Sequence, residues 1–120
     1  MANGKTAVVY TSRTVIDLSD QTPEQLLAIS VRISDALTSV VSRLAKRPRF
    51  LIAKGGITSS DVGTIALAVK KARVLGQVQP GIPVWKIGEE SRFPGMSYII
   101  FPGNVGEEDT LRKIVEVLNR

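Results

Sequence analysis

Two short apolar runs, each followed at once by a glycine-rich turn, dominate the pattern of hydrophobic and polar residues along this chain. The first run, residues 50–53, leads into a turn at residues 54–61. The second run, residues 98–101, leads into a turn at residues 102–106. Apolar runs of this length between turn signals are typical of buried strands, and helical spacing follows each turn. The pattern therefore predicts two strand–turn–helix units.

The segment before the first of these units predicts a strand and a long helix. Residues 7–10 form a short β-rich run. Thr22 and Gln25 have the spacing of a capping box, and the helix that they start is expected to run from Pro23 to about Lys46. Its apolar positions predict one buried face, made of Leu26, Ile33, Leu37, Val40, Val41 and Leu44.

Between and after the two turns, the pattern predicts a helix, a hairpin and a final helix. Helical spacing after the first turn places a helix start near Ser60. Two short β-rich runs, residues 74–78 and 84–87, flank a Pro80-Gly81 turn and predict a hairpin. The first turn of the final helix is expected to hold the acidic residues Glu107, Glu108 and Asp109, where negative charge complements the helix dipole.

The order of elements, βα, βα, ββ, βα, predicts the fold class. Strands that alternate with helices favour a sheet covered by helices on both faces. We expect residues 1–120 to form a single α/β domain, a three-layer α/β/α sandwich with a mainly parallel, mixed sheet.

The composition excludes several kinds of catalytic and metal site but does not identify a function. The chain has no Cys and no His, which excludes thiolate nucleophiles, Ser-His-Asp triads and zinc sites built on these residues. The net charge of +5 suits an anionic ligand. Because the basic residues lack interleaved exposed aromatic residues, we expect no nucleic-acid partner. No apolar run reaches the length of a membrane span and no signal peptide is recognisable, so the expectation is a cytoplasmic protein without a membrane partner.

The turn at residues 54–61 is the stronger candidate site. Paired glycines allow close approach of a ligand, and a helix start presents free backbone N–H groups to an anion, most often phosphate. The spacing matches neither the Walker A loop nor the dinucleotide fingerprint. A tight turn that only starts a helix remains an equal alternative. Lys54 either neutralises phosphate or ends a strand, and Asp61 fits an ordinary first-turn acid better than a water-mediated magnesium ligand.

The turn at residues 102–106 is the second candidate site. Gly103 permits close approach of a ligand, and Asn104 either bonds a ligand or serves the turn alone. Because turns that follow parallel strands share one sheet edge, we expect Gly103 and the Gly55-Gly56 pair to face a common cleft. Trp85 alternates with its neighbours in a strand, which favours a place in the core or a cleft wall over a stacking platform.

Four ordered segments, residues 54–64, 76–85, 91–95 and 101–106, resemble the C-terminal nucleotide-binding domain of the four-carbon acid sugar kinase family. The resemblance runs from about Ala7 to the end of the chain. It implies an ATP-dependent kinase that phosphorylates sugar acids of the threonate and erythronate type. It implies ATP as cofactor with Mg²⁺ held through the nucleotide phosphates, and ATP or ADP as partners.

The resemblance also implies which residues bind nucleotide. The family's Gly-Gly-x-Thr loop corresponds to Gly55, Gly56, Ile57 and Thr58, and the glycine of its Gly-Asn turn corresponds to Gly103. Ser59 and Asn104 are adjacent candidates. No catalytic residue and no protein metal ligand is expected in the chain itself.

One departure from the family pattern affects activity. The sugar-acid-binding domain, with the acidic motif that should supply the catalytic base, is not recognisable in these residues, and neither is the family's upstream Gly-Ser turn. We therefore expect a truncated nucleotide half that is inactive alone. Two alternatives stay open: a non-catalytic nucleotide- or phosphate-binding module that acts through a partner protein, and a fragment whose exposed face forms a homo-oligomer.

Overall fold

The computed structural model describes residues 6–10 and 22–119. Its α-helices are α1 (Pro23–Ser42), α2 (Gly56–Asp61) and α3 (Thr110–Leu118), and a π-helical turn (Val62–Ala66) continues α2. Its strands are β1 (Phe50–Lys54), β2 (Ala72–Gln79), β3 (Ile82–Ile87) and β4 (Ser97–Phe101).

The four strands form one mixed sheet in the order β1-β4-β3-β2. β1 and β4 are parallel and in register, so Lys54 at the end of β1 pairs with Phe101 at the end of β4. β3 is antiparallel to both of its neighbours. The α/β class and the mixed sheet are confirmed, but within the described residues one of the three strand pairings is parallel and two are antiparallel, so the expected parallel majority is not found there.

Helices cover the two faces of the sheet unequally. The end of α1 and the π-helical turn pack over one face, where Leu67, Met96 and Tyr98 are buried. α3 packs on the opposite face against Ile82 and Ile99. The outer strand β2 is exposed along six of its eight residues. Among the described residues, the part of the first face that β2 forms is therefore left uncovered beside α2.

The predicted strand at residues 7–10 is wrong. These residues lie outside any helix or strand, and the side chains of Val8, Val9 and Tyr10 are 65%, 60% and 75% exposed. A β-rich run forms a stable strand only when a neighbouring strand takes its backbone hydrogen bonds, and this run has no such neighbour among the described residues.

The predicted start of α1 is confirmed, but its end and its buried face differ from the prediction. The capping box is formed, with the Gln25 amide donating to the Thr22 hydroxyl and the Thr22 amide donating to the Gln25 side chain. The helix ends at Ser42 rather than near Lys46, and the Arg92 guanidinium donates to the carbonyl of Val41 in its last turn and to that of Leu44 just beyond it. Only the C-terminal end of the expected face packs on the core, through Val41 and Leu44, whereas Leu26, Ile33 and Val40 are exposed.

Both helices that follow the glycine turns begin at residues other than the predicted ones. α2 begins at Gly56, inside the first turn, rather than near Ser60. α3 begins at Thr110, because the Thr110 hydroxyl accepts a hydrogen bond from the Glu107 amide and holds the preceding acidic residues in a turn. The Pro80-Gly81 hairpin is confirmed, with the Gly81 amide donating to the Gln77 side chain.

Candidate functional site

The two glycine turns lie side by side at one edge of the sheet. The Gly55 amide donates a 2.8 Å hydrogen bond to the carbonyl of Phe101. A Cβ atom built on Gly103 would lie 3.8 Å from the Cα atom of Gly55. The turns meet because β1 and β4 are adjacent, parallel and of equal length, so their carboxyl ends coincide. The predicted common edge is confirmed, whereas the common cleft facing all three glycines stays a prediction.

The backbone of the first turn presents free N–H groups. Gly55 is the N-cap of α2, and the first bond of the helix runs from the Ser59 amide to the Gly55 carbonyl at 2.9 Å. The amides of Gly56, Ile57 and Thr58 precede that bond and therefore have no acceptor within the helix. Three successive amides at the start of a helical segment are suited to an anion such as phosphate.

The two glycines of the first turn have different roles. Gly55 has φ +102°, a conformation that L side chains rarely adopt. Gly56 has an ordinary helical backbone, and a Cβ atom built there meets nothing within 4 Å. The Gly55 amide is already bonded to the second turn. Gly55 therefore shapes the turn, while Gly56 leaves open the space in front of the free amides.

The hydroxyl groups of this turn are not equivalent. The Oγ1 atom of Thr58 lies 3.9 Å from a Cβ atom built on Gly55, so this hydroxyl is part of the turn surface. Ser59 is buried, and its hydroxyl donates 2.9 Å to the carbonyl of Ala53. The side chain of Ser59 thus fastens α2 to β1, and its role in binding nucleotide stays a prediction. Ile57 is 75% exposed.

The second turn offers open space to a ligand, but it does not present the backbone amides of a helix start. Gly103 and Asn104 are exposed, and α3 does not begin until Thr110. Gly106 has φ +87° and is packed tightly, because a Cβ atom there would lie 3.1 Å from the Phe101 ring and from the Thr110 side chain. Close approach at Gly103 is therefore available to a ligand, whereas Gly106 serves the fold.

The structure places two charged residues flanking the first turn in separate environments. The Lys54 ammonium lies 5.1 Å from the centre of the Phe101 ring, between the strands that carry the two turns. A cation there lies at the shared edge, which is compatible with neutralising phosphate. The carboxylate of Asp61 accepts a 2.6 Å hydrogen bond from the Ser34 hydroxyl and so ties α2 to α1. This contact favours the structural role for Asp61.

A cleft of about 500 Å³ lies beside α2, and most of its lining residues are not among the predicted site residues. Helical residues of the first turn and the π-helical turn form one wall, and the open face of β2, β3 and β4 forms the other. Trp85 lines it, as the predicted cleft wall. Tyr98 also lines it and donates its hydroxyl to the Ser59 carbonyl, and burial raises the pKa of Tyr98 above its ordinary value of 10.0.

A second cleft, of about 590 Å³, is lined by Lys71, Arg73, Lys86 and Glu89 and includes none of the predicted site residues. Arg73 and Lys86 lie opposite each other on β2 and β3. The cleft is shallow and basic, and it gives no separate argument for a function.

Residues 6–10 and 22–119 contain neither a cluster of metal ligands nor a membrane-spanning helix. Within these ranges no group of three acidic side chains is placed to hold a metal ion. No helix in the same ranges combines the length and the apolar character that crossing a bilayer requires.

Residues 1–111 match the sequence model of a family described as the nucleotide-binding C-terminal domain. The chain belongs to this family. The matched region contains both glycine turns and every predicted site residue. No curated protein matches the chain at a significant level.

A solved structure supports the fold. It is the crystal structure of a domain of unknown function (DUF1537) from Bordetella bronchiseptica, described as a domain-swapped dimer with bound citrate. The two chains share 22% identity and superpose with a TM-score of 0.59 over 73% of this chain. The match covers 21% of the Bordetella chain, so this chain spans about a fifth of its length.

Proposed function

We propose that this chain is the nucleotide-binding portion of an ATP-dependent kinase that phosphorylates four-carbon sugar acids of the threonate or erythronate type. Membership of a nucleotide-binding domain family supports the nucleotide. The resemblance of four ordered segments to sugar-acid kinases supports the substrate class.

The observation that carries the proposal is the meeting of the two glycine turns. Free amides at Gly56, Ile57 and Thr58 lie at an edge where Gly103 approaches Gly55, and the glycines place no side chain between the two turns. Phosphate oxygens fit such a cradle because they accept several backbone hydrogen bonds at once.

The residues present also fit magnesium in the form expected for kinases. Mg²⁺ commonly binds through the phosphates of the nucleotide and through water rather than in a cage of protein carboxylates. We propose the same arrangement here, with Lys54 placed to neutralise part of the phosphate charge. ATP supplies the phosphoryl group, and this chain binds and orients it. The group that takes the substrate proton is assigned to the sugar-acid-binding domain of the family.

The test is the substitution Gly56→Val, measured by calorimetric titration with ADP. The valine methyl groups would occupy the space before the free amides, and we expect ADP affinity to fall at least tenfold, about 1.4 kcal/mol. We expect the variant to fold as stably as the parent chain, because Gly56 has a helical backbone and a Cβ atom built there meets nothing within 4 Å.

A matched control is Ala36→Val, which adds similar bulk at an exposed position of α1 away from both turns. This variant should bind ADP as the parent chain does. Equal affinity of the Gly56 variant and the parent would show that the glycine pair is only a turn, and would remove the basis of the proposal.

A further inference from the structure

We propose that the cleft beside α2, lined by Gly56, Thr64, Val74, Trp85 and Ile100, receives the nucleobase of the bound nucleotide. The inference rests on the proposed function, because the phosphates at the glycine turns determine where the base lies. The inference gives Trp85 and its neighbours a role in binding the base. The site residues predicted from the sequence do not include Trp85.

The first argument is continuity between the cleft and the phosphate cradle. Gly56 carries one of the free amides and also lines the cleft. Ser60 and Thr64, each one turn further along the same helical wall, continue the lining. A nucleotide whose phosphates bind at Gly56 therefore has the cleft directly beside it, and the cleft volume of about 500 Å³ is within the range of small-ligand sites.

The second argument is the apolar sheet surface that forms the floor. Strand register places Val74 opposite Trp85 and Trp85 opposite Tyr98, so these three side chains lie on one face of neighbouring strands. Val74 is 63% exposed, and no helix among residues 22–119 covers this part of the face. A flat heteroaromatic base gains contact area on such a surface, and stacking on an aromatic ring adds to it.

The third argument is the helical wall. Gly63 lies in the π-helical turn, and a Cβ atom there would lie 3.2 Å from the Tyr98 ring, so glycine lets the wall approach the sheet closely. The Thr64 hydroxyl donates 2.8 Å to the Ser60 carbonyl and keeps its acceptor capacity. Ser60 is exposed and offers a second hydroxyl at the rim. An apolar floor with a few hydroxyl groups at the edge is the usual make-up of a base or cofactor pocket.

Trp85 is the sole tryptophan of the chain, which gives a direct measurement. The emission of Trp85 is followed while the 120-residue chain is titrated with ADP and, separately, with inorganic tripolyphosphate, and both affinities are measured by calorimetry. We expect ADP to change the emission in a saturable way. Tripolyphosphate should bind without changing it, because it carries no base.

Two variants make the test specific. Val74→Gln places a longer polar side chain in the cleft, and we expect it to weaken ADP roughly tenfold while tripolyphosphate affinity is unchanged. Leu75→Gln is the matched control, since Leu75 is its exposed neighbour on the same strand and does not line the cleft. The control should leave both affinities as they are in the parent.

The outcomes separate this inference from the proposed function. Binding of both probes with no change in Trp85 emission, and with Val74→Gln equal to Leu75→Gln, would overturn the inference and leave the phosphate cradle intact. Failure of both probes to bind would overturn the proposed function and the inference together. Emission that depends on protein concentration and is unaffected by ADP would show that a second copy of the chain covers the cleft, and would also overturn the inference.

Discussion

The first and second glycine turns each follow an apolar strand and contain two glycines, but they differ in how they meet the following helix. Each contains one glycine that the fold requires and one that it does not. In the first turn the required glycine is Gly55, with φ +102°, and in the second it is Gly106, with φ +87° and close contacts. Gly56 and Gly103 have room for a Cβ atom.

The difference lies in the distance from each strand to its helix. In the first turn a single residue separates β1 from α2, so the helix amides point into the edge of the sheet. In the second turn eight residues separate β4 from α3, and the amides of α3 begin away from that edge. On the proposed function, the first turn therefore binds the anion, and the second turn contributes the space at Gly103 beside it.

The largest expected effect is that of Gly106→Ala. Alanine would combine a left-handed backbone conformation with contacts of 3.1 Å to Phe101 and Thr110, and we expect unfolding in urea to show a loss of about 3 kcal/mol. Gly103→Ala is the control, since its nearest contact would be 3.8 Å, and it should change stability little. Similar midpoints for the two variants would contradict the division of roles within the second turn.

The next largest effect is expected for Gly55→Ala. A Cβ atom there meets only Thr58, at 3.9 Å, so the cost is backbone strain alone, about 2 kcal/mol by urea unfolding. Gly56→Ala serves for comparison, because alanine is favoured over glycine in a helix and should be neutral or slightly stabilising. If Gly55→Ala unfolded at the same urea concentration as Gly56→Ala, the first turn would not depend on its N-cap conformation.

The substitution Gly103→Val tests the role proposed for the second turn. Valine methyl groups would extend toward Gly55, and on the proposed function ADP affinity should fall roughly tenfold, about 1.4 kcal/mol, in calorimetric titration. The neighbouring change Asn104→Ala tests whether the amide side chain takes part or only the backbone. An affinity unchanged in Gly103→Val would leave the first turn as the whole phosphate site.

The smallest effect concerns Tyr98, which anchors the helix of the first turn through the Ser59 carbonyl. Burial raises the pKa of this hydroxyl, so its stabilising contribution is complete below about pH 10 and is lost as the pH rises above that value. Tyr98→Phe should cost about 1 kcal/mol at neutral pH by thermal or urea unfolding. The gap between variant and parent should narrow above pH 10.

A control for this effect is Tyr10→Phe, because Tyr10 is 75% exposed. That variant should follow the parent at every pH. A constant gap between Tyr98→Phe and the parent across the alkaline range would show that the hydroxyl titrates no differently in the folded and unfolded chain.

Features made by neighbours in the chain could be predicted from sequence. The capping box needs only Thr22 and Gln25, three residues apart, and the hairpin turn needs only the residues around Pro80-Gly81. The common edge of the two glycine turns could also be predicted, because parallel strands of equal length bring their carboxyl ends together.

Features that depend on distant partners could not be predicted in the same way. Helical spacing did not show that α2 begins at Gly56, because the conformation of Gly55 accompanies a bond to the Phe101 carbonyl, 46 positions later in the chain. Residues 7–10 have the composition of a strand, but a strand also needs a partner.

The sequence by itself determined the class of fold, the two turns and the candidate residues, since these follow from local periodicity and from the backbone freedom of glycine. The tertiary structure alone decided which glycine of each turn is strained and which leaves space for a ligand. It also placed Trp85 in a cleft that opens at Gly56. The physical reason is that strain, open volume and cleft walls depend on atoms brought together from distant parts of the chain.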